Sequence, residues 1–284
     1  MNVTKAVITA AGARQRHLPL QTIVDAEARS RRLLGLLVDE AKSAGIQEIG
    51  LVISPGTSNL YRDAAIIEGA NLTFIEQPEP LGYGHAVLTA REFTGDEPFL
   101  LMVSDHLYAS ELPDTTCAAQ LVRSATEERC MVSAVQPTHE SKLSYFGAIG
   151  GNLFENREFL YQVQSVLEKP SPTQAEQEIM TPGLRHGYYL CFLGMHVLTP
   201  AIMPLLAANL EKLKGSEPLD LSSSLNDAAQ NSRYLAHAIR GRRYDLDHRY
   251  GILIAQLALA LEGNHREEVL SSIVELLAQK QPGN

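Results

Sequence analysis

Two arginines stand inside a small-residue turn, Ala11-Gly12-Ala13-Arg14-Gln15-Arg16, directly after the apolar run Lys5–Ala10. The run reads as a buried strand. A small-residue turn after such a strand lets backbone N–H groups approach an anion, and arginine adds bidentate phosphate donors. An ordinary strand-to-helix turn with solvated arginines would carry the same residues. A second group runs from Gln77 through Gly82, Tyr83 and Gly84 to His85 and Ala86, with Pro78 and Pro80 inside it. The prolines hold the chain extended. Gly82 and Gly84 admit a flat ligand to the backbone, and the helix N-terminus near His85 can face negative charge. Gln77 pairs a donor with an acceptor, which suits a nucleobase edge. A rigid turn before a helix is the plainer alternative.

Three carboxylate positions follow. Ser104-Asp105-His106 comes straight after the apolar run Phe99–Val103. An aspartate there is expensive without a partner such as a metal, or it caps a helix. Asp245 lies in a short apolar strand flanked by Arg242 and Arg243, and Asp247 can cap the helix beginning near Arg249. Two aspartates from distant strands converging at one edge would make a hard oxygen site for Mg²⁺ rather than zinc. Glu168-Lys169-Pro170 ends another strand; a solvated edge would explain that pair equally.

The elements that must position these groups alternate in the first half. Strands are expected at Val3–Ala10, Glu48–Ser54, Asn71–Glu76, Pro98–Ser104 and Met131–Gln136, with helices at Arg31–Ala44, Gly84–Phe93 and Asp114–Arg129. That order predicts a parallel sheet covered on both faces, with ligands at the carboxyl ends of its strands. The middle changes to strands at Tyr145–Gly150, Phe159–Leu167 and Tyr188–Val197, with helices at Pro172–Met180 and Pro200–Asn209. A helix near Leu221–Gln230, strands at Tyr234–Arg240 and Arg243–Leu246, and helices at Tyr250–Leu261 and His265–Gln279 complete the chain. One α/β domain with an inserted mixed-sheet lobe is the simplest account.

The 284 residues are 45% hydrophobic and 20% charged, an ordinary globular composition. A net charge of -9 argues against nucleic-acid or anionic-membrane binding, so an anionic substrate needs a local basic site or a metal. Cys117, Cys130 and Cys191 are widely spaced and read as reduced thiols of a cytoplasmic protein. No signal peptide is expected, and apolar stretches such as Ile252–Leu261 are too short to span a bilayer.

Taken in order, these segments resemble the sugar-1-phosphate nucleotidyltransferases, most closely the bacterial UTP–glucose-1-phosphate uridylyltransferase type. Lys5–Gly12 is similar to the opening strand and glycine turn. Gly82-Tyr83-Gly84-His85-Ala86-Val87 is similar to a G-x-G-H-A-V segment, and Glu168-Lys169-Pro170 to an E-K-P tripeptide. Ser104-Asp105 and Asp245 fall at the two metal-aspartate positions, and Gly194 with Pro200–Leu206 at the stretch near the sugar. The resemblance implies a Rossmann-like, glycosyltransferase-A-like fold with a mostly parallel sheet. It also implies a nucleotide-binding half over 1–136, a sugar-phosphate lobe and return to the sheet over 137–248, and C-terminal helices over 249–284. By the same resemblance, Ala11, Gly12, Ala13 and Arg14 hold nucleotide phosphates, and Gln77, Gly82 and His85 serve the base. Asp105 and Asp245 bind Mg²⁺. Glu168 and Gly194 serve the sugar, Lys169 its phosphate, and Arg16 completes the catalytic set. The implied reaction joins UTP and glucose-1-phosphate into a nucleotide-sugar with release of pyrophosphate, in a chain that forms a homodimer or homotetramer.

The chain departs from that pattern in one region. The family's G-x-G-T-R loop is here Gly12-Ala13-Arg14-Gln15-Arg16, and its following lysine segment is replaced by Thr22–Arg32, which contains no lysine. Arg29, Arg31 or Arg32 could supply that charge. Asp247-His248 replaces a Gly-Asn pair. Two further readings therefore stay open. One is a nucleotide- or sugar-phosphate-binding regulatory relative with little turnover. The other is a transferase using a preformed nucleotide-sugar, whose expected Asp-x-Asp motif could only be Asp245-Leu246-Asp247.

Overall fold

The computed structural model describes residues 1–213 and 217–279. Its strands are β1 (Lys5–Thr9), β2 (Thr22–Val24), β3 (Ser30–Arg32), β4 (Glu48–Ile53), β5 (Thr73–Glu76), β6 (Phe99–Val103) and β7 (His106–Ser110). There follow β8 (Met131–His139), β9 (Ala148–Leu153), β10 (Leu160–Leu167), β11 (Tyr188–Leu198), β12 (Tyr234–Ala238) and β13 (Gly241–Asp245). Nine of them form one sheet in the order β5-β4-β1-β6-β11-β8-β12-β10-β9.

The apolar runs explain its centre. In β6, Phe99, Leu100, Leu101 and Met102 are fully buried, and β1 lies beside it with Ala6, Val7 and Ile8 equally buried. A strand covered on both faces must be apolar at every position rather than at alternate ones. One face packs against the helices Leu33–Ser43, Ser58–Ile67 and Cys117–Glu128 through Leu37, Tyr61 and Leu121. The other packs against Tyr83–Thr89, Ile202–Lys212 and Ser222–Asn231 through Val87, Leu206 and Leu225.

The sheet is mixed, not mostly parallel. The four strands β5-β4-β1-β6 are parallel, as is β12 with β8, but β11 runs antiparallel to β6, β8 and β9, and β10 antiparallel to β12 and β9. Only a short polar turn joins β9 to β10, and a turn that short permits only antiparallel pairing. These strands, expected in an inserted lobe, continue the same sheet. Three elements were not expected: the β2–β3 hairpin, the helix Ser58–Ile67, and β7. The helix expected from Asp114 begins at Cys117, where the Thr116 hydroxyl accepts from Ala119 N at 3.2 Å. Among the described residues, no helix is long and apolar enough to cross a membrane.

Strand β11 carries a buried histidine beside the cavity described below. His196 is 2% exposed; its Nδ1 lies 2.6 Å from Ser133 Oγ, and burial pushes its pKa down to about 3. The unfolded chain takes up this proton near the ordinary histidine value, and the fold does not. Stability from this group is therefore full above that value and falls as pH drops toward 3. Between about pH 7.5 and 5.5 the expected loss is about 1.4 kcal/mol. Urea melts at both pH values should show it in the parent and not in His196→Asn. Equal slopes in the two proteins would mean that the folded imidazole is already charged.

Candidate functional site

The cavity that collects the chemistry opens at the carboxyl ends of β1 and β6. It encloses about 450 Å³ and is lined by Arg14, Asp105, Glu168, Lys169, Gly194 and Asp245 among others. Six of the residues singled out by type and spacing thus reach one space from five separate stretches of chain.

Asp105 and Asp245 are brought together by a two-stranded ribbon outside the main sheet. β13 pairs antiparallel with β7 so that Asp245 stands opposite His106, and Leu246 N donates to Asp105 O at 2.8 Å. Asp105 is 7% exposed; its Oδ2 accepts from Gln15 Nε2 at 2.5 Å, while its Oδ1 is buried without a hydrogen-bond partner. Asp245 Oδ1 accepts from Asp247 N at 3.0 Å. The neighbouring imidazole does not neutralise Asp105. His106 Nδ1 lies 2.9 Å from the Leu193 carbonyl, which fixes the proton on that nitrogen, and burial pushes its pKa down against the opposing pull of Asp105. The Nε2 atom stays 3.9 Å from Asp105 Oδ1.

An orphaned buried carboxylate oxygen, with a second carboxylate on the same cavity wall, fits a hard cation. No group of three or more His, Cys, Asp or Glu side chains among the described residues could hold a metal. Mg²⁺ needs only one or two carboxylates when phosphate oxygens and water complete its shell.

Lys169, two residues past the end of β10, has φ 46°, a left-handed backbone, and it lines the cavity together with Glu168. Glu168 Oε2 accepts from Ser222 Oγ at 2.6 Å, and Lys169 Nζ is 3.5 Å from Glu168 Oε1. Gly194, at φ 84°, breaks the register of β11; a Cβ there would meet His106 Nδ1 at 2.6 Å. Its role in the fold is to let β11 pass the histidine that pairs with Asp245.

The phosphate turn is held at both ends. Ser54 Oγ donates to Ala11 O at 2.7 Å, Gln15 N and Arg16 N both donate to Gly12 O at 2.9 Å, and Tyr61 Oη donates to Arg16 O at 2.6 Å. Arg14 reaches the cavity and pairs with Asp247 at 3.2 Å. Ala11, Gly12, Ala13 and Arg16 do not line it, and Arg16 is exposed.

Gln77, Gly82 and His85 form a separate cluster that likewise does not line the cavity. Gln77 is 5% exposed, and its Nε2 lies 3.2 Å from Gly82 O and 2.9 Å from His85 Nδ1. Gly82, at φ 105°, has a packing reason: a Cβ would meet the Leu219 carbonyl at 2.5 Å.

The three candidate replacements for the family's lysine are engaged elsewhere. Arg29 pairs with Asp25 at 2.9 Å, Arg31 with Glu68 at 2.8 Å and Asp39 at 2.6 Å, and Arg32 donates to the Leu20 carbonyl at 2.6 Å. None lines the cavity. Gln15, marked in the sequence only as a departure from the family's loop, lines it and reaches Asp105. Tyr83 lines it too and was not singled out. Tyr83 places a buried, unpartnered hydroxyl near Asp105 and Glu168, and burial with those two charges raises its pKa. A bulky aromatic between two glycines was its signal in the sequence.

Comparison with known proteins bears on the family and the fold. Residues 5–244 match the family model described as nucleotidyl transferase. The UTP–glucose-1-phosphate uridylyltransferase of Pseudomonas aeruginosa is 28% identical, over 86% of this chain and 91% of its own. The uridylyltransferase YngB of Bacillus subtilis is 29% identical, over 97% and 94%. A crystal structure of UDP-glucose pyrophosphorylase complexed with UDP-glucose superposes with a TM-score of 0.74 at 23% identity, covering 90% of this chain and 98% of that one. The UTP-bound enzyme from Acinetobacter baumannii gives a TM-score of 0.75 at 22% identity, covering 97% and 100%. These two establish the likeness of fold. With the matched segment running from the first residue of β1 nearly to the end of β13, the chain belongs to the nucleotidyl transferase family.

Proposed function

We propose that the protein transfers a uridylyl group from UTP to glucose-1-phosphate, giving UDP-glucose and pyrophosphate. The observation that carries this reading is the cavity itself. Asp105 and Asp245, Glu168 and Lys169, and Arg14 and Gln15 of the phosphate turn all line it. In the reaction a phosphate oxygen of the sugar attacks the α-phosphorus of UTP, and the bond to the pyrophosphate leaving group breaks. Lys169 binds and orients the attacking phosphate, and Glu168, steadied by Ser222, takes sugar hydroxyls. Gly12, Ala13 and Arg14 meet the nucleotide phosphates, with Arg16 at the outer end of the turn. Gln77, Gly82 and His85 hold the uracil edge, so the nucleotide extends beyond the cavity onto that cluster. Asp105 and Asp245 would hold Mg²⁺, which supplies charge neutralisation on the triphosphate. Positioning and electrostatics of this kind account for most of the acceleration in phosphoryl and nucleotidyl chemistry. In this reading residues 1–136 serve the nucleotide and 137–248 the sugar phosphate.

A second reading, a nucleotide-binding relative with little turnover, draws on one contact: Gln15 already occupies Asp105 Oδ2. Pyrophosphate release with UTP, dTTP, ATP and GTP against glucose-1-phosphate, with Mg²⁺, separates the two. UTP should be the best donor. Binding of UTP without pyrophosphate release would favour the second reading, and a preference for ATP or GTP would remove the base assignment.

A further inference from the structure

Gln15 bridges two places that a metal-bound triphosphate must occupy together. Its amide nitrogen is 2.5 Å from Asp105 Oδ2, and its amide oxygen lies 2.5 Å from where a Cβ on Gly12 would be. The side chain therefore lies over Gly12 and ends on the carboxylate. Its own backbone nitrogen closes the turn onto Gly12 O. The next residue back, Arg14, spans to the same acidic side and pairs with Asp247, whose backbone nitrogen in turn donates to Asp245 Oδ1. Both positions at which the turn departs from the family's loop thus point at the aspartate-bearing wall.

We propose that Gln15 is an internal competitor for Asp105: it shuts the phosphate turn in the unliganded protein, and a divalent cation opens it. The proposal rests on the nucleotide reading of the cavity. A neutral amide donates one hydrogen bond to Asp105 Oδ2, whereas a divalent cation that takes Oδ2 together with the unpartnered Oδ1 interacts with the full carboxylate and with Asp245 as well. The cation therefore wins when present and the amide holds when it is absent. Gln15 leaves Asp105 and Gly12 in one movement, so triphosphate gains access to the turn only after, or together with, the metal. The Arg14–Asp247 pair contributes little to closure, because the Arg14 side chain is 84% exposed and such pairs are weak in water.

The test is a Mn²⁺ titration followed by electron paramagnetic resonance, without nucleotide, on the parent, Gln15→Ala and Asp247→Asn. Loss of a hydrogen bond to a charged group predicts Mn²⁺ binding roughly tenfold tighter in Gln15→Ala. For Asp247→Asn the expected change is within about twofold. A second arm measures UTP binding by calorimetry in EDTA. The parent should bind poorly and Gln15→Ala measurably better, because the turn no longer waits for the cation. Thermal melts in EDTA verify that the variants are folded. Unchanged or weaker Mn²⁺ binding in Gln15→Ala, or no Mn²⁺ binding by any of the proteins, overturns the proposal. If UTP binds to none of them under any condition while the Mn²⁺ difference holds, the nucleotide reading fails and the competition at Asp105 stands.

Discussion

Asp105→Asn should abolish Mg²⁺-dependent pyrophosphate release while leaving the metal-free fold as stable as before, or slightly more stable. The carboxylate is nearly buried, and one of its oxygens has no hydrogen-bond donor. In the absence of a cation it shares the cavity with the charge of Asp245. An amide at the same place removes that charge and keeps an oxygen for the Gln15 donor. Removing a group that neutralises charge in the transition state typically costs about 10²–10³-fold in turnover, and loss of the metal with it should reach the upper end. Asp245→Asn should behave alike, because its Oδ1 contact to Asp247 N needs only an acceptor. Melts with and without Mg²⁺ and UTP supply the second readout. The parent should gain stability with ligand, and both variants should lose that gain. A sharp fall in metal-free stability after either change would make the aspartate a structural partner. Full retention of the ligand-induced shift would show that the two carboxylates do not share a cation.

Lys169→Ala should raise the KM for glucose-1-phosphate with little change in the KM for UTP. Lys169 lies just past the end of β10, far along the chain from the phosphate turn, and its charged neighbour is Glu168 at 3.5 Å. The Lys169 side chain is 57% exposed, so its removal strands no buried charge and should barely move the melting temperature. Loss of a charge-assisted phosphate contact is worth about 1.5–3 kcal/mol, or roughly 10–100-fold in sugar-phosphate affinity. The left-handed backbone at this position is carried by a side-chain residue already, so alanine adds no new strain. A rise in the UTP constant instead would exchange the two subsites, placing Lys169 on the triphosphate and leaving the sugar phosphate to Arg14.

What could be read from the sequence was what local patterning records. The runs Ala6–Ile8, Ile49–Ile53 and Phe99–Met102 are apolar at every position, which marks strands covered on both faces, and their carboxyl ends mark the ligand edge. Asp105 stands out because it follows such a strand, and Asp245 because it lies in a short strand beside two arginines. The pairing that joins them does not. His106–Ser110 is short and reads as loop, and its partner strand lies at the other end of the chain, so no local periodicity encodes the register of His106 with Asp245. The antiparallel entry of β11 beside β6 is equally a long-range choice. The arginines between Arg29 and Arg32 could not be assigned from type alone. Asp25, Asp39 and Glu68 satisfy Arg29 and Arg31, the Leu20 carbonyl takes Arg32, and only three-dimensional proximity selects those partners. Gln15 and Asp247 were visible as departures from a pattern, but each shows its significance only through the group it touches on the opposite wall.

The β7–β13 ribbon separates two kinds of completeness. All nine strands of the main sheet lie before Ile239, and the last of them, β12, ends at Ala238. The second carboxylate arrives only with Asp245, on a strand that the sheet does not contain. As the chain is made, everything required for the sheet to close is therefore present before the cation site can exist. A chain halted in that interval would own every strand of the main sheet, the turn at Gly12 and Lys169, yet hold only one of the two aspartates proposed to bind the cation. Scaffold and reactivity are finished at different moments, and the later one waits on a few residues of ribbon.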